Sequence, residues 1–424
     1  MALNYVWIAF FIIAFLVALV RVTGYFFADF FAQYSILFDK ADLDVFSAML
    51  DSTFKMAETG VSISIYLIGV MTFWLGMLKV GEKGGAVNVM MGGVKPLFKK
   101  LFPSIPENHP AMGSMMMNIC ATMLGLESAA TPMGLKAMNE LQEANENKDT
   151  ASNAQIMYFI LVVTGFMLLP VNIIALRAAS GAANPADVLV PLVITTFVAA
   201  FSGVLIVALI QKINLLNRVI LTYLLLFILF FGGLLYLVSH LSPSQSQAFG
   251  KLAGSFLIIG FIIFFIALAL IRKINVFETF IEGAKDGFTI TIKLIPYLIA
   301  MLVAIGVFRA SGAMDLLIAG IVKVTGWLGL GNDFAGALPV ALMKPLSGNG
   351  ARGLMVEAMN HFGADSYTGR LASLFQGATD TTFYVLALYF GAVNIRKTRY
   401  ALGVALLADL IGIITAILLV GLFF

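Results

Sequence analysis

The sequence predicts an all-α polytopic membrane protein, and three observations support this fold class. The chain of 424 residues is 60% hydrophobic and only 12% charged, whereas a soluble domain carries roughly 25% charged residues. Its mean hydropathy is +0.97. Almost no charge occurs in five segments long enough to cross a hydrocarbon core about 30 Å thick: 156–176, 188–210, 219–239, 252–271 and 400–424.

The start of the chain, "MALNYVWIAFFIIAFLVALVRV", has no basic n-region and no small-residue cleavage site, so we expect a retained first helix. The single cysteine, Cys120, excludes an intramolecular disulfide and a cysteine metal cluster. The sequence contains no GxxxxGK[ST], HExxH or GxSxG motif. We therefore expect no ATP-driven pump, no enzyme, no metal site, no cofactor and no nucleic-acid partner.

Two parts of the chain resemble each other. Residues 52–72 read "STFKMAETGVSISIYLIGVMT" and residues 278–299 read "ETFIEGAKDGFTITIKLIPYLI"; Gly60 aligns with Gly287, and Gly85 with Gly312, at an offset of 227. Each half continues with a helix of mixed character (86–101 and 313–328), an interrupted apolar stretch (107–138 and 335–360) and a spanning helix (154–177 and 369–392). This shared order predicts an internal duplication, with repeats at about 52–181 and 278–394. Chance similarity between two apolar segments is the alternative.

Loop charges predict how the helices are oriented. Lysine and arginine concentrate in 79–106 and after the helices that end near 210, 271 and 394. With these loops in the cytoplasm, the amino terminus is cytoplasmic and the carboxyl terminus lies outside. This assignment requires 107–138 and 335–360 to be re-entrant hairpins, because each is too short for two full spans. The two repeats then run in opposite directions, as an inverted repeat.

The first hairpin contains "LESAATP", where Gly125, Pro132 and Gly134 predict an interrupted helix. Non-helical backbone at membrane depth occurs only where it is buried in protein or lines a cavity. The substrate-binding candidates are Asn118, Glu127, Ser128 and Thr131. For the three uncharged side chains the alternative is hydrogen bonding to broken backbone or to a neighbouring helix. Glu127 is favoured because an ionisable group at depth is a functional candidate by default.

The second hairpin reads "KPLSGNGARG", and its glycines behind Pro345 predict a break before a helix that restarts near Arg352. The free N–H groups of such a helix start favour an anion. The candidates here are Lys344, Ser347, Asn349 and Arg352. The alternative for the two cations is snorkelling to the interface, or pairing with Glu127 or Asp380. We expect Glu357, further along, to be solvated.

The helix after the second hairpin contains "QGATDTT", a polar run that lipid does not tolerate without a partner or water. Its candidate side chains are Gln376, Thr379, Asp380, Thr381 and Thr382. The corresponding helix of the first repeat has its own break at "LLPVN", where Pro170 aligns with Asp380 and Asn172 with Thr382. We therefore predict two broken helices of similar geometry and different chemistry, with Asn172 as a further candidate.

These residues carry a family resemblance that covers nearly the whole chain. The half 1–215, with "GVMTFWLGMLKVGEKGG", "NHPAMGSMMMN" and "AATPMGLKAM", resembles spore maturation protein A. The half 216–424, with "IPYLIAMLVAIGVFRASGAMD" and "GRLASLFQGATDTTFYVLALYFGAV", resembles spore maturation protein B. Both are similar to the nucleoside-recognition or Gate group. The resemblance implies a core like that of concentrative nucleoside transporters, and a role in spore core dehydration in sporulating bacteria. The second hairpin is richer in glycine than the corresponding pattern of spore maturation protein B.

The favoured function is a secondary transporter of a small polar or anionic solute in the bacterial inner membrane. Glu127 or Asp380 would couple transport to H⁺ or Na⁺. The alternatives are a passive channel or lipid-handling protein, and a membrane scaffold for envelope or spore maturation. The expected partners are the solute, which the family name suggests is nucleoside-like, and the lipid bilayer; homo-oligomerisation is left open.

Overall fold

The computed structural model describes residues 2–34, 37–327 and 332–424, apart from the side chains at 2, 3, 127–129, 243, 290, 293 and 294. The described residues form α-helices joined by short turns, and within them one isolated bridge pairs Thr150 with Lys397. The first half contains α1 (Ala2–Phe26), α2 (Ala28–Ala32), α3 (Lys40–Leu43), α4 (Val45–Gly84), α5 (Ala86–Leu101), α6 (Pro110–Met123), α7 (Glu127–Glu143), α8 (Asn153–Thr164), α9 (Val171–Ala179) and α10 (Leu189–Ile210).

Two long helices connect the halves, and the second half then repeats the order of the first. The remaining helices are α11 (Arg218–Ser239), α12 (Pro243–Ile271), α13 (Val276–Ala310), α14 (Ala313–Trp327), α15 (Leu338–Met343), α16 (Gly348–Phe362), α17 (Tyr367–Gly377), α18 (Thr382–Ala392) and α19 (Ala401–Phe423). The helices α4 to α9 correspond in order to α13 to α18. In each half two long helical elements precede a helix pair and a broken helix.

The protein is a multi-pass membrane protein, which confirms the predicted fold class. Among the described residues, α1, α4, α10, α11, α12 and α19 are each long and apolar enough to cross a membrane. A seventh span is available if α13 and α14, which meet at 74°, form one bent crossing. The predicted spans at 154–177 and 369–392 are both interrupted, by 165–170 between α8 and α9 and by 378–381 between α17 and α18.

Several helix boundaries follow from local chemistry. Ser152 caps α8 and Ser347 caps α16, because each side chain accepts a hydrogen bond from the backbone N–H three residues later. Gly85 and Gly312 separate the long helices α4 and α13 from their successors. Their φ angles are +84° and +85°, a left-handed conformation that glycine adopts without steric cost. The two glycines aligned in the sequence thus have the same backbone conformation.

The helices α4 and α13 form the most extensive packing contact of the fold, and the contact is reciprocal. A Cβ atom placed on Gly60 would lie 2.9 Å from Ile299, and one placed on Gly287 would lie 2.9 Å from Thr72 Cα. Positions 60 and 287, and positions 72 and 299, are each separated by the offset of 227. Residue numbers rise along α4 as they fall along α13, so the helices are antiparallel. A second pair repeats the relation: Gly306 contacts Met56, and Gly283 contacts Lys79.

This close approach predicts that two Gly→Ala changes differ in their effect on the free energy of unfolding. In Gly283→Ala the new methyl group would lie 2.5 Å from Leu75 O and would also meet Lys79. We expect it to lower the free energy of unfolding by about 1–3 kcal/mol through overpacking. Gly69→Ala, in α4 with no atom within 4 Å, should leave the free energy unchanged or raise it by up to about 1 kcal/mol. Denaturant titration of both variants in detergent measures the difference; equal effects would contradict the packing.

Candidate functional site

The two hairpins and the two broken helices enclose one large cavity of about 780 Å³. The first hairpin is α6 and α7 with the turn 124–126, and the second is α15 and α16 with the turn 344–347. Eleven of the fourteen predicted site residues line the cavity: Asn118, Thr131, Asn172, Lys344, Ser347, Asn349, Arg352, Gln376, Thr379, Asp380 and Thr381. The structure therefore brings both halves of the predicted set together. Their role in binding remains a prediction.

The side of the cavity formed by the first hairpin is built around Asn118. The side-chain amide of Asn118 donates to Ala130 O at 2.7 Å, and its carbonyl accepts from the Tyr158 hydroxyl at 2.8 Å. The Tyr389 hydroxyl lies 3.5 Å from Asn118 Nδ2. Asn118 thus joins both helices of the hairpin to α8 and α18, as the structural alternative for this residue predicted, while it also lines the cavity.

The stretch "ESAATPMG" is helical, which corrects the prediction of an interruption at Pro132 and Gly134. The break comes earlier, at Gly125, whose φ of +77° allows the tight turn. There Leu126 N donates to Ala121 O at 2.9 Å. Pro132 is the sixth residue of α7, so it lacks the N–H that would donate to the carbonyl four residues earlier, yet the helix continues to Glu143. Thr131 lines the cavity, and the side chains of Glu127 and Ser128 lie outside the described part of the structure.

The second hairpin restarts as a helix at Gly348, not near Arg352 as predicted. Ser347 Oγ accepts from Gly350 N at 3.0 Å and caps this start. The glycines are helical because the helix packs very closely: a Cβ on Gly348 would lie 2.6 Å from Thr381 Oγ1, and one on Gly353 would lie 2.9 Å from Met301 Cβ. Tertiary contact thus outweighs the low helix propensity of glycine.

Polar side chains of the second half surround this helix start. Lys344 ends α15, and Arg352 Nη1 lies 3.4 Å from Asn349 Oδ1. Gln376 donates to Gly348 O at 3.4 Å, while its buried Oε1 has no hydrogen-bond partner among the described residues. The cavity therefore has two cations, a helix amino terminus and an available amide acceptor on one side.

A backbone bond joins each broken helix to the hairpin of its own half. In the first half Leu168 N, within the break, donates at 2.9 Å to the carbonyl of Met123, the last residue of α6. In the second half Phe383 N, in the first turn of α18, donates to Pro345 O at 3.0 Å. A third bond joins the halves, because Asp380 N donates to Val163 O at 2.7 Å. Asp380 Oδ1 accepts from Thr381 N at 2.6 Å. Asp380 is exposed and lines the cavity, and Asn172, in the first turn of α9, lines the same cavity.

Thr382 is directed away from the cavity, toward a residue that the sequence analysis missed. Its hydroxyl donates to Asp409 Oδ2 at 2.6 Å, and both residues are buried. Asp409 is the one acid of α19. An isolated acid within the apolar segment 400–424 is a signal that could have identified it.

Two further buried charged groups were not predicted. Glu357, expected to be solvated, is 6% exposed and accepts from Arg309 Nη2 at 3.0 Å. Arg177 is completely buried at the end of α9, where it pairs with Asp187 at 2.9 Å and with Asp365 at 3.2 Å. Asp187 also pairs with Arg370 at 2.9 Å. Arg177 falls inside a segment predicted to span the membrane, where a charge indicates a partner.

Comparisons with known proteins identify one family and two relatives that this chain resembles. A model of the Gate family, described as nucleoside recognition, matches residues 64–216 and 291–396, two segments that begin 227 residues apart. Spore maturation protein B of Bacillus subtilis is 47% identical over 154 residues, which are 36% of this chain and 85% of that protein. Spore maturation protein A of the same organism is 35% identical over 156 residues, 37% of this chain and 80% of that protein. No solved structure matches significantly.

Proposed function

Since this chain belongs to the nucleoside-recognition Gate family and encloses a large cavity lined by both polar and apolar side chains, we propose that it is a secondary transporter of a small polar or anionic solute, and not an enzyme. The solute binds between the two hairpins, and H⁺ or Na⁺ drives its transport. The observation that carries this proposal is the cavity itself, because both hairpins and both broken helices contribute to its lining. Transporters of inverted-repeat architecture place their substrate sites at such junctions.

The charges around the cavity favour a solute with an anionic group. Lys344, Arg352 and the amino terminus of α16 lie on one wall, and cations at a helix start bind anions. Gln376 Oε1, without a partner among the described residues, can accept a hydrogen bond from a solute N–H or O–H. Asp380 adds a carboxylate that a solute donor or a coupling cation can use. Asn118, Thr131, Asn172, Ser347, Asn349, Thr379 and Thr381 supply uncharged polar groups.

The reciprocal contacts of α4 and α13 support an inverted repeat. Two antiparallel helices that exchange equivalent contacts are related by a two-fold axis perpendicular to both. If both helices cross the bilayer, this axis lies in the membrane plane and the repeats face opposite sides. We propose that each hairpin is re-entrant and that the protein lies in the bacterial inner membrane, with its amino terminus cytoplasmic and its carboxyl terminus outside.

A ligand screen tests the proposal. Purified protein is heated with nucleosides, dicarboxylates, amino acids or metal ions, and we expect an anionic or nucleoside-like solute to raise the midpoint of unfolding. A ligand at 100 times its Kd stabilises the folded state by about 2.7 kcal/mol through mass action. The double variant Lys344→Gln, Arg352→Gln should lose the shift, because it removes both cations of the cavity wall. An equal shift in this variant would contradict the proposed site.

A lipid-handling protein or passive channel is the second candidate, and apolar side chains at the cavity favour it. Leu346, Phe383 and Tyr384 line the cavity and are 40%, 38% and 60% exposed, so they can contact lipid or an amphiphilic solute. Ionophores discriminate the two functions in proteoliposomes. Solute uptake that stops when the ion gradient is dissipated supports secondary transport; flux that continues unchanged supports a passive pathway.

A third candidate is a membrane scaffold. It requires that substitution of Asp380 leave the cellular phenotype unchanged.

A further inference from the structure

The carboxyl group of Asp409 is incompletely paired inside the apolar helix α19. Asp409 is 5% exposed, and its Oδ2 accepts the bond from Thr382. Its Oδ1 is buried and makes no hydrogen bond of normal geometry within the described part of the chain, although the Thr379 side chain lies near the carboxyl group. Burying a carboxylate costs several kcal/mol unless its charge is compensated. The arrangement therefore favours a bound cation or a proton on this side chain.

One cation near Asp409 stabilises its ionised carboxylate, whereas several other neighbouring features disfavour the negative charge. Lys344, at the turn of the second hairpin, attracts the carboxylate, while Asp380 repels it. Three helices packed against α19, namely α8, α10 and α18, contain no charged residue. The helices α11, α12 and α17 also pack against α19 and contain Arg218, Lys251 and Arg370; Arg370 lies over the Phe424 ring, beyond the carboxyl end of α19. One turn beyond Asp409, Gly412 packs beside Ala378 and Thr379, at the carboxyl end of α17. The partial negative charge of a helix carboxyl terminus disfavours a neighbouring anion.

One threonine, Thr379, lies both at the cavity and near Asp409. The cavity lining includes Thr379 but not Asp409 or Thr382. Thr379 lies close enough to Asp409 to interact with its carboxyl group. A proton can move along hydroxyl groups, whereas Na⁺ needs a space lined by several oxygen atoms. The described cavity does not extend to Asp409, so the geometry favours a proton over Na⁺.

We propose that Asp409 is a proton-binding site, which takes up a proton on Oδ1 from the cavity through Thr379 and releases it by the same path. Under the proposed transport function, on which this role rests, it is the site of the coupling proton. Lys344 and Asp380 lie both at the cavity and within electrostatic range of Asp409. Binding of an anionic solute beside Lys344 would weaken the attraction of that cation for the carboxylate and so promote protonation.

Infrared spectroscopy tests the proton site without a solute. The purified protein in lipid nanodiscs is titrated between neutral and acidic pH, and the C=O stretch of protonated carboxyl groups is followed. We expect Asp409→Asn to lose one carboxyl band that wild type and Asp380→Asn retain. Survival of every band in Asp409→Asn would overturn the proposal. A band that responds to Na⁺ at constant pH, and not to pH, would assign the site to Na⁺ and would also overturn it.

A second pair of variants keeps the test independent of the folding of Asp409→Asn. Thr382→Val removes the hydroxyl that donates to Asp409, and we expect the carboxyl band to shift in frequency. Thr382→Ser retains the hydroxyl and should leave the frequency unchanged. An unshifted band in Thr382→Val would refute the assignment to Asp409. Since neither measurement requires transport, failure to find a solute in the ligand screen would leave the proton site standing, and the reverse also holds.

Discussion

Arg177→Ala is expected to destabilise the protein more than any other single change considered for this chain. Breaking a buried ion pair by removing one partner costs about 3–5 kcal/mol; here Asp187 would keep Arg370, and Asp365 would lose its pair with Arg177. Arg177 is fully buried between Asp187 and Asp365, and its guanidinium also donates to Ala364 O at 2.8 Å. The change should lower the free energy of unfolding by about that amount, measured by denaturant titration in detergent.

Arg218→Ala is the matched control, because Arg218 is an exposed arginine at the start of α11. An exposed substitution of this kind changes stability by about 0.5 kcal/mol or less. Arg177→Lys should be intermediate, since lysine keeps the charge but cannot reproduce the planar fork of donors. A loss for Arg177→Ala no larger than for Arg218→Ala would show that the ion cluster does not stabilise the fold.

Asp380→Asn is expected to reduce gradient-driven transport strongly while the protein remains folded. Asp380 is exposed to the cavity, so that the neutral amide fits without burying a new group. Loss of a hydrogen bond to a charged group costs about 1.5–3 kcal/mol, which corresponds to roughly 10–100-fold in uptake. Uptake into proteoliposomes of a solute identified by the ligand screen gives the measurement, and gel filtration verifies the folded state.

Asp315→Asn provides the control for this experiment. This substitution makes the same chemical change at a carboxylate that is 73% exposed at the start of α14. Asp315 does not line the cavity. We expect wild-type uptake from this variant. Unchanged uptake in Asp380→Asn would exclude a role for Asp380 in transport but would not affect the proton site proposed at Asp409.

The sequence predicts features that depend on local chemistry. "QGATDTT" and "LLPVN" predict breaks because polar groups, glycine and proline weaken a helix wherever they occur, and the structure has interruptions at 378–381 and 165–170. The prediction for Gly348 fails because its helix depends on contact with Thr381, 33 residues further along the chain. Glu357 was misjudged for the same reason, because its partner Arg309 is distant in sequence. Asp409 was missed although it is an isolated acid in an apolar segment; its partner, Thr382, is what the sequence could not reveal.

Backbone bonds between the hairpins and the broken helices bear on which parts can move together. Leu168 is bonded to Met123, and Phe383 to Pro345, so each hairpin and the broken helix of its own half form one unit. Rocking of these units against the paired helices α4 and α13 would preserve both bonds. The bond from Asp380 N to Val163 O instead crosses between the units. Any motion that separates the two units must break this bond. Asp380, which lines the cavity, therefore lies at the contact that a conformational cycle would have to open.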